Sequence, residues 1–388
     1  MMLEAPQRFE SYGAVTIYDL VKVLELDASN RRSFHGIVTI DDEVFNDIAA
    51  NTAIIVPIKD EELFTLEGVI SAIPHGSLVI IVSASSREPV DRYRHELDLA
   101  KIIHQTTRRG ILVLHQKDQA WIEALADTPL ELMLEGESVR SGKGEGMLLG
   151  VIAAAALGYR YVGFIDSDNY VPGAVHEYAR IYYAGFHLLE TEYPMVRIKW
   201  PFKGKLASSD MYLRRRGRVS RITNRILNTA LSRIRKVETD IIKTGNSGEH
   251  ALSVKLALSI KWASGYAVEP YQLVYLLEEC FIKAGKGECP SLPHHVKILQ
   301  AEARNPHIHA EKGDEHINSM IAKSLGTIYY SSLADDRVKA EIMETLEQYS
   351  TGLKPVPPRI YDPRGIDPVK VFSSFMAASN ESILYEEG

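Results

Sequence analysis

A chain of 388 residues is too long for most single small cores and predicts one large domain or two fused halves. Hydrophobic residues make up 45% and charged residues 24%, an ordinary globular balance, and a net charge of −7 excludes the broad basic field of a general nucleic-acid binder. Two cysteines cannot build a disulfide framework, and there is no CxxC pair for structural zinc, no signal-peptide layout at the N-terminus and no membrane-length apolar run. The expectation is a cytoplasmic protein with neither nucleic acid nor membrane as partner.

In chain order, residues 1–50 include "AVTIYDLVKVLELD" and read as an N-terminal extension, a hairpin or strand pair packed on the core. From residue 52 the pattern alternates. "TAIIVPI" (52–58) is a β-rich run, and "EELFTLEGVISAI" carries Leu63, Leu66, Val69, Ile70 and Ile73 at helical spacing. "SLVIIVSAS" is a second strand, "DRYRHELDLAKIIHQ" a helix, "GILVLHQ" a third strand, "GEGMLLGVIAAAALG" a buried helix and "YRYVGFI" a fourth strand. Apolar strands alternating with helices predict an α/β fold with a doubly wound, mostly parallel sheet over residues 51–200. Residues 201–350 read as a mixed α+β half: "YPMVRIKWPF", at the junction with the first half, is a strand. "RVSRITNRILNTALSRIRK" and "EHALSVKLALSIKWAS" are helices, "VKILQAEARNPHIHAEKGDEH" is a strand running into a histidine-rich loop, and "LADDRVKAEIMETLEQY" is an amphipathic helix. Residues 351–388 read as a Pro-rich linker and a tail apolar enough to dock.

A sheet of this kind binds ligands outside the carboxyl ends of its strands. The polar residues there are Lys59, Asp60 and Glu61, then Ser83, Ser85 and Ser86, then Asp166 and Asp168. Asp166 and Asp168 flank Ser167, so alternation points both carboxylates to one side, where Mg²⁺ or Mn²⁺ with phosphate oxygens would offset their repulsion. A solvated turn is the plainer alternative. "SVRSGKGEGMLLG" adds Arg140, Lys143 and Gly144 at a helix start, where anions are favoured, without Walker or dinucleotide spacing. "TGNSGEHALS" offers Gly245, Asn246 and Ser247 as an anion nest, or Thr244 or Ser247 as a plain N-cap before Glu249 and His250. His307 and His309 share a face of an extended segment as candidate ligands or acid/base groups, with His316 further on. The arginine run 214–221, with Arg216 and Arg221, is a solvated face or an attractor for an anionic acceptor.

The stretches "VPIKDEE" and "SGKGEGMLLGVIAAAALGYRYVGFIDSDNYVPG" resemble the nucleotide-sugar half of GT-A-type glycosyltransferases. "DSDNYVPGAVHEY", "TGNSGEHALS" and "RNPHIHAEKGDEH" are similar, more narrowly, to the mannosyl-3-phosphoglycerate synthase family, over roughly residues 53–349. The resemblance implies retaining transfer of mannose from GDP-mannose to the 2-hydroxyl of 3-phosphoglycerate, the first step toward the compatible solute mannosylglycerate. It implies that Asp168 and His309, or His307 in its place, hold the divalent metal (Mg²⁺ or Mn²⁺). It places Asp166 near the sugar or ribose, Pro57, Lys59 and Glu61 around guanosine, and Lys143 on the donor. Gly245, Asn246 and Ser247 would hold the glycerate end, and a homodimer is implied. A metal on the diphosphate would stabilise the leaving charge. Retention by a carboxylate nucleophile would fall to Glu249; a front-face path, the leaving oxygen assisting acceptor deprotonation, is preferred. Rival expectations are a glucosyl-3-phosphoglycerate synthase using GDP-glucose or another sugar nucleotide, a nucleotidyltransferase, and a non-catalytic nucleotide-sugar sensor. The nucleotidyltransferase would carry a Gly/Arg-rich loop where Pro57-Ile58-Lys59-Asp60 stands, and a sensor would have lost Asp166, Asp168 and His309.

Overall fold

The computed structural model describes residues 1–26, 36–207, 210–214, 218–284, 289, 292, 295–309 and 313–386, with backbone alone at 203–207, 210–214 and 218. Arg216 lies outside the described residues.

Four strands with continuous apolar cores form the first half of the sheet: β1 (Thr52–Ile58), β2 (Leu78–Ser83), β3 (Ile111–His115) and β4 (Tyr161–Phe164). They lie parallel in the order β3-β2-β1-β4. Parallel strands need crossovers, supplied by α1 (Leu63–Ala72), α2 (Arg92–Thr107) and α3 (Lys143–Ala156), while α4 (Pro172–Leu189) follows β4. Side chains alternate across the sheet: Ala53 and Ile55 enter the core that includes Met147, Leu148 and Val151 of α3. Ile54, Val56 and Ile58 enter the opposite core, with Leu66, Tyr93 and Tyr178 of α1, α2 and α4. The predicted GT-A-like α/β sheet is thus present, covered on both faces.

The sheet does not stop at residue 200. Beyond β4 come β5 (Tyr193–Lys199), β6 (His250–Ser253) and β7 (Val296–Glu302), in the order β4-β6-β5-β7. β6 runs antiparallel to both neighbours, whereas β5 and β7 pair in parallel over seven residues. The helix expected from Glu249 onward is therefore a strand followed by a short helix, Val254–Ser259. His250 and Ala251 lie between two strands where apolar burial and ladder hydrogen bonds override the helical spacing. The N-terminal strands Val15–Tyr18 and Val21–Glu25 both pair with β7, so the extension continues the sheet.

The basic segment forms α5 (Arg218–Arg235), and α6 (Asp314–Tyr329) packs against it. The C-terminal part crosses the molecule: helix Pro368–Ala378 packs on α3, and strand Ile383–Tyr385 pairs antiparallel with β3. Cys280 and Cys289, too few for a framework, are joined as one disulfide. Among the described residues no helix is long and apolar enough to cross a membrane.

Candidate active site

The carboxyl ends of β1, β2 and β4 open onto a cavity of about 410 Å³. Pro57, Lys59 and Glu61 line it from the end of β1, and Asp166, Ser167 and Asp168 from the turn after β4. Asp60, between the lining pair, takes a left-handed φ of 56°, and its carboxylate accepts from Ser86 N at 2.8 Å. The chain is pinned to the end of β2 at that point. Lys143 reaches the cavity from the first turn of α3.

Lys143 answers the repulsion expected of two neighbouring carboxylates. Its Nζ lies 2.6 Å from Asp166 Oδ1 and 2.9 Å from Glu269 Oε1. Burial alone would drive this ammonium's pKa down, but the charges of Asp166 and Glu269 outweigh it and hold the group well above its ordinary value. Asp166 is thus neutralised by a buried cation, and the two aspartates are unequal. Gly248 is required beside this pair: a Cβ there would stand 2.7 Å from Asp166 Oδ2 and 3.0 Å from Lys143 Nζ.

The histidine segment is fastened to the aspartate turn, since Tyr170 N donates to Ile308 O at 2.9 Å. His307 is buried, stacked on Trp200 with ring centroids 4.1 Å apart, and its Nδ1 lies 3.8 Å from Glu249 Oε1. His309 is half-buried, edge-on to His307 at 5.1 Å. His316, on α6, meets Tyr266 edge-on at 5.1 Å, and Tyr266 lines the cavity. Glu249 has no exposed surface: Asn169 Nδ2 donates to its Oε1 at 3.2 Å, and its Oε2 has no hydrogen-bond partner among the described residues. Burial pushes the Glu249 carboxyl well above the carboxylate range; Asp166 and Asp168 add to this and Lys143 opposes it. A carboxyl walled in behind the aspartates is poorly placed as the nucleophile considered from sequence.

Several other expected contacts sit elsewhere. Ser83 is buried as the last residue of β2, its hydroxyl accepting from Ser85 N at 3.1 Å, outside the cavity lining. Arg140 points its guanidinium at Glu135, 2.9 Å away, and only its carbonyl serves the site, accepting from Gln116 Nε2 at 2.6 Å. Gly144 is a packing glycine, because a Cβ would fall 2.2 Å from Ala263 O. Gly245 N donates to Asn224 Oδ1 at 2.6 Å, and the Ser247 hydroxyl donates to Ile198 O at 2.8 Å. Both build the loop rather than face a ligand, and neither caps a helix. Asn246 alone of that trio lines a cavity, a second one.

This second cavity, of about 450 Å³, lies between α5 and the ends of β5 and the 240–246 loop. Its cations are Lys199, Arg221, Arg225 and Lys243. Lys199 pairs with Glu302, Arg225 with Glu341 at 3.4 Å and Lys243 with Asp240 at 2.5 Å. Arg221 has no carboxylate partner among the described residues. The loop is held from beneath by Arg197, fully buried in β5, whose guanidinium donates to Thr244 O at 2.9 and 3.0 Å and to Glu269 O at 2.8 Å. Burial lowers its pKa to about 10, with Glu269 opposing. Sequence reasoning passed over Arg197; its signal was a charge in the middle of the apolar run "MVRIK". Gln116, Tyr266, Glu269 and Lys323 were also missed, being distant in sequence and brought in by the fold.

A crevice at the carboxyl ends of parallel strands, with an Asp-x-Asp turn at its rim, is the arrangement of a GT-A-type glycosyltransferase. Solved structures share the fold. A glucosyl-3-phosphoglycerate synthase from Mycobacterium tuberculosis, in complex with Mn²⁺, UDP and phosphoglyceric acid, superposes with TM-score 0.50 at 20% identity, covering 81% of this chain and 89% of its own. The same enzyme with Mn²⁺, UDP-glucose and glycerol 3-phosphate gives TM-score 0.50 at 20% identity over 80% and 90%. The model of the family described as mannosyl-3-phosphoglycerate synthase matches residues 5–375. Mannosyl-3-phosphoglycerate synthases of Aeropyrum pernix and Pyrococcus furiosus are 53% and 41% identical, covering 99% and 98% of this chain and 100% and 98% of theirs. The chain belongs to the mannosyl-3-phosphoglycerate synthase family and is an enzyme, not a sensor.

Proposed function

We propose that the donor is GDP-mannose, seated in the crevice at the β1–β4 ends, and that the acceptor is 3-phosphoglycerate, seated in the cationic cavity beside α5. The observation that carries this reading is the pairing of the two cavities across one wall. Asn246 lines the acceptor side, and Gly248, two residues on, abuts the Asp166–Lys143 pair of the donor side. An acceptor with both carboxylate and phosphate calls for more than one cation, and Arg221 is the cation left uncommitted among the described residues.

A divalent metal fits the donor set here. Asp168 supplies a hard oxygen at the cavity wall, and the bond from Tyr170 N to Ile308 O ties the segment that carries His309 to the aspartate turn. His307, stacked under Trp200 and against Glu249, is the weaker candidate. Among the described residues no three His, Cys, Asp or Glu side chains are gathered around one cation position. Mg²⁺ takes one or two carboxylates and completes its shell from substrate phosphates and water. Bound there, the metal would neutralise charge on the departing diphosphate.

The chain's own groups do the rest. Lys143 orders Asp166 toward the donor, and Arg197 fixes the loop that carries Asn246. The glycosidic carbon keeps its configuration if the acceptor hydroxyl attacks from the face the diphosphate leaves, handing its proton to the departing oxygen. Burial of Glu249 behind the aspartates supports this path over a covalent one; trapping a mannosyl-enzyme would overturn it. The reading is tested by incubating the protein with Mg²⁺, GDP-mannose and 3-phosphoglycerate and following GDP release. Acceptor-dependent release is expected. No release rejects the reading, and release with GDP-glucose alone replaces mannose by glucose.

A further inference from the structure

The donor crevice holds three lysines, and they differ in how their charge is committed. Lys143 is bound at 2.6 and 2.9 Å to two carboxylates, so the pair formed with Asp166 leaves it little net charge to offer a ligand. Lys59 leaves the end of β1 between Pro57 and Glu61, with Asp60 next to it in the chain, at the edge assigned to the nucleoside. Lys323 arrives from α6 on the far wall, and no carboxylate partner holds it among the described residues. Its Nζ lies 6.0 Å from the centroid of the Tyr266 ring, and the ring itself lines the crevice.

A half-buried ammonium beside an aromatic ring, in a crevice that also holds two aspartates, has no carboxylate bound to it among the described residues. The reaction creates an anion. When the bond from the sugar C1 to the diphosphate breaks, its electron pair goes to the leaving oxygen. The acceptor hydroxyl oxygen forms the new bond to C1, and its proton passes to that leaving oxygen and then to solvent. The freed nucleoside diphosphate carries about one more negative charge than the esterified donor.

We propose that Lys323 is the leaving-group residue of this enzyme: it binds the departing diphosphate more strongly than the intact donor, and so accelerates transfer. The proposal rests on the sugar-nucleotide reading of the crevice. It also explains why α6 is shared between the sites. Ser324, the next residue, accepts at its Oγ from Asn246 Nδ2 at 2.9 Å, and Asn246 lines the acceptor cavity. One turn of one helix therefore touches the leaving group on one side and the acceptor loop on the other.

The test uses Lys323→Met and Lys323→Arg in the full chain, with wild type beside them. Removing a preorganised donor to developing charge costs about 100- to 1000-fold in kcat. Lys323→Met is expected to lose that much while the KM for donor changes less than about threefold, and Lys323→Arg is expected to recover most of it. Calorimetry supplies a readout independent of turnover. GDP affinity should fall by about tenfold or more in Lys323→Met while GDP-mannose affinity stays within about threefold, the signature of binding the departed state. Equal losses for GDP and GDP-mannose, or a kcat within twofold of wild type, would overturn the proposal. An inactive wild type would instead reject the donor and acceptor assignment itself.

Discussion

The two cavities are made of opposite materials. The donor crevice is the rim of a parallel sheet: backbone ends, two aspartates and a buried lysine that tames one of them. The acceptor cavity is a helix face and a loop, with cations that mostly hold surface carboxylates. The first is rigid because its parts are termini of core strands, each locked by ladder hydrogen bonds on both sides. The loop of the second is held by side chains instead, the buried guanidinium of Arg197 beneath it and Asn224 and Gln300 beside it. On the proposed reading, the chemistry sits on the rim of the sheet and recognition of a small anion sits beside the helix.

The strongest test of that contrast is Asp168→Ala. If the crevice is the chemical half, kcat should fall by about 1000-fold, the upper range for losing electrostatic stabilisation of a leaving group, with the fold unchanged by circular dichroism. Near-normal turnover at micromolar Mg²⁺ would remove Asp168 from metal binding. A smaller effect is expected of Arg221→Ala. Its signature is a rise of about tenfold in the KM for 3-phosphoglycerate, for a lost charge-assisted contact of about 1.4 kcal/mol, with donor KM unaltered. With unphosphorylated glycerate as acceptor, the variant and wild type should behave alike. If both acceptors suffer equally, the phosphate is bound elsewhere.

The smallest effect concerns the acceptor cavity's own acid. Hydrogen bonds from Lys243 and then Arg8 pull the Asp240 carboxyl from 3.8 down to about 2. A carboxyl depressed in the folded state stabilises it above pH 3.8, and that contribution is lost as pH falls toward 2. Asp240→Asn should therefore flatten the acid limb of urea-unfolding midpoints across that window. The change should be slight, because the side chain is 65% exposed. An unchanged limb would mean that this ion pair contributes nothing to the loop.

The same contrast governs what could be read from the sequence. Strands β1 to β4 were legible because parallel strands buried on both faces are uninterrupted apolar runs, and their polar ends mark the crevice. Pro57, Lys59, Glu61, Lys143, Asp166 and Asp168 could therefore be grouped before any coordinates. The segment from Glu249 onward reads as a helix because Ala251, Leu252, Leu256 and Ala257 mimic a helical stripe, while the true determinant, insertion of β6 between β4 and β5, is non-local. Ser83 was placed by its position at a strand end, but alternation turns it away from the crevice. Lys323 and Tyr266 carry no motif; the packing of α6 brings Lys323 to the crevice, and Tyr266 enters from the turn Gly265–Ala267, which is bonded to Glu145 of α3.

The strand Ile383–Tyr385 lies at the edge of the donor half, paired with residues 111–113. On a ribosome emitting about 5–20 residues per second, the edge beside β3 cannot be covered until residues 383–385 have emerged. The first half of the sheet is thus completed by a strand far along the chain, a long-range contact that slows folding and leaves the outer edge of β3 unpaired until it forms. A nascent chain in which residues 383–385 have not yet emerged would have its sheet open at one side.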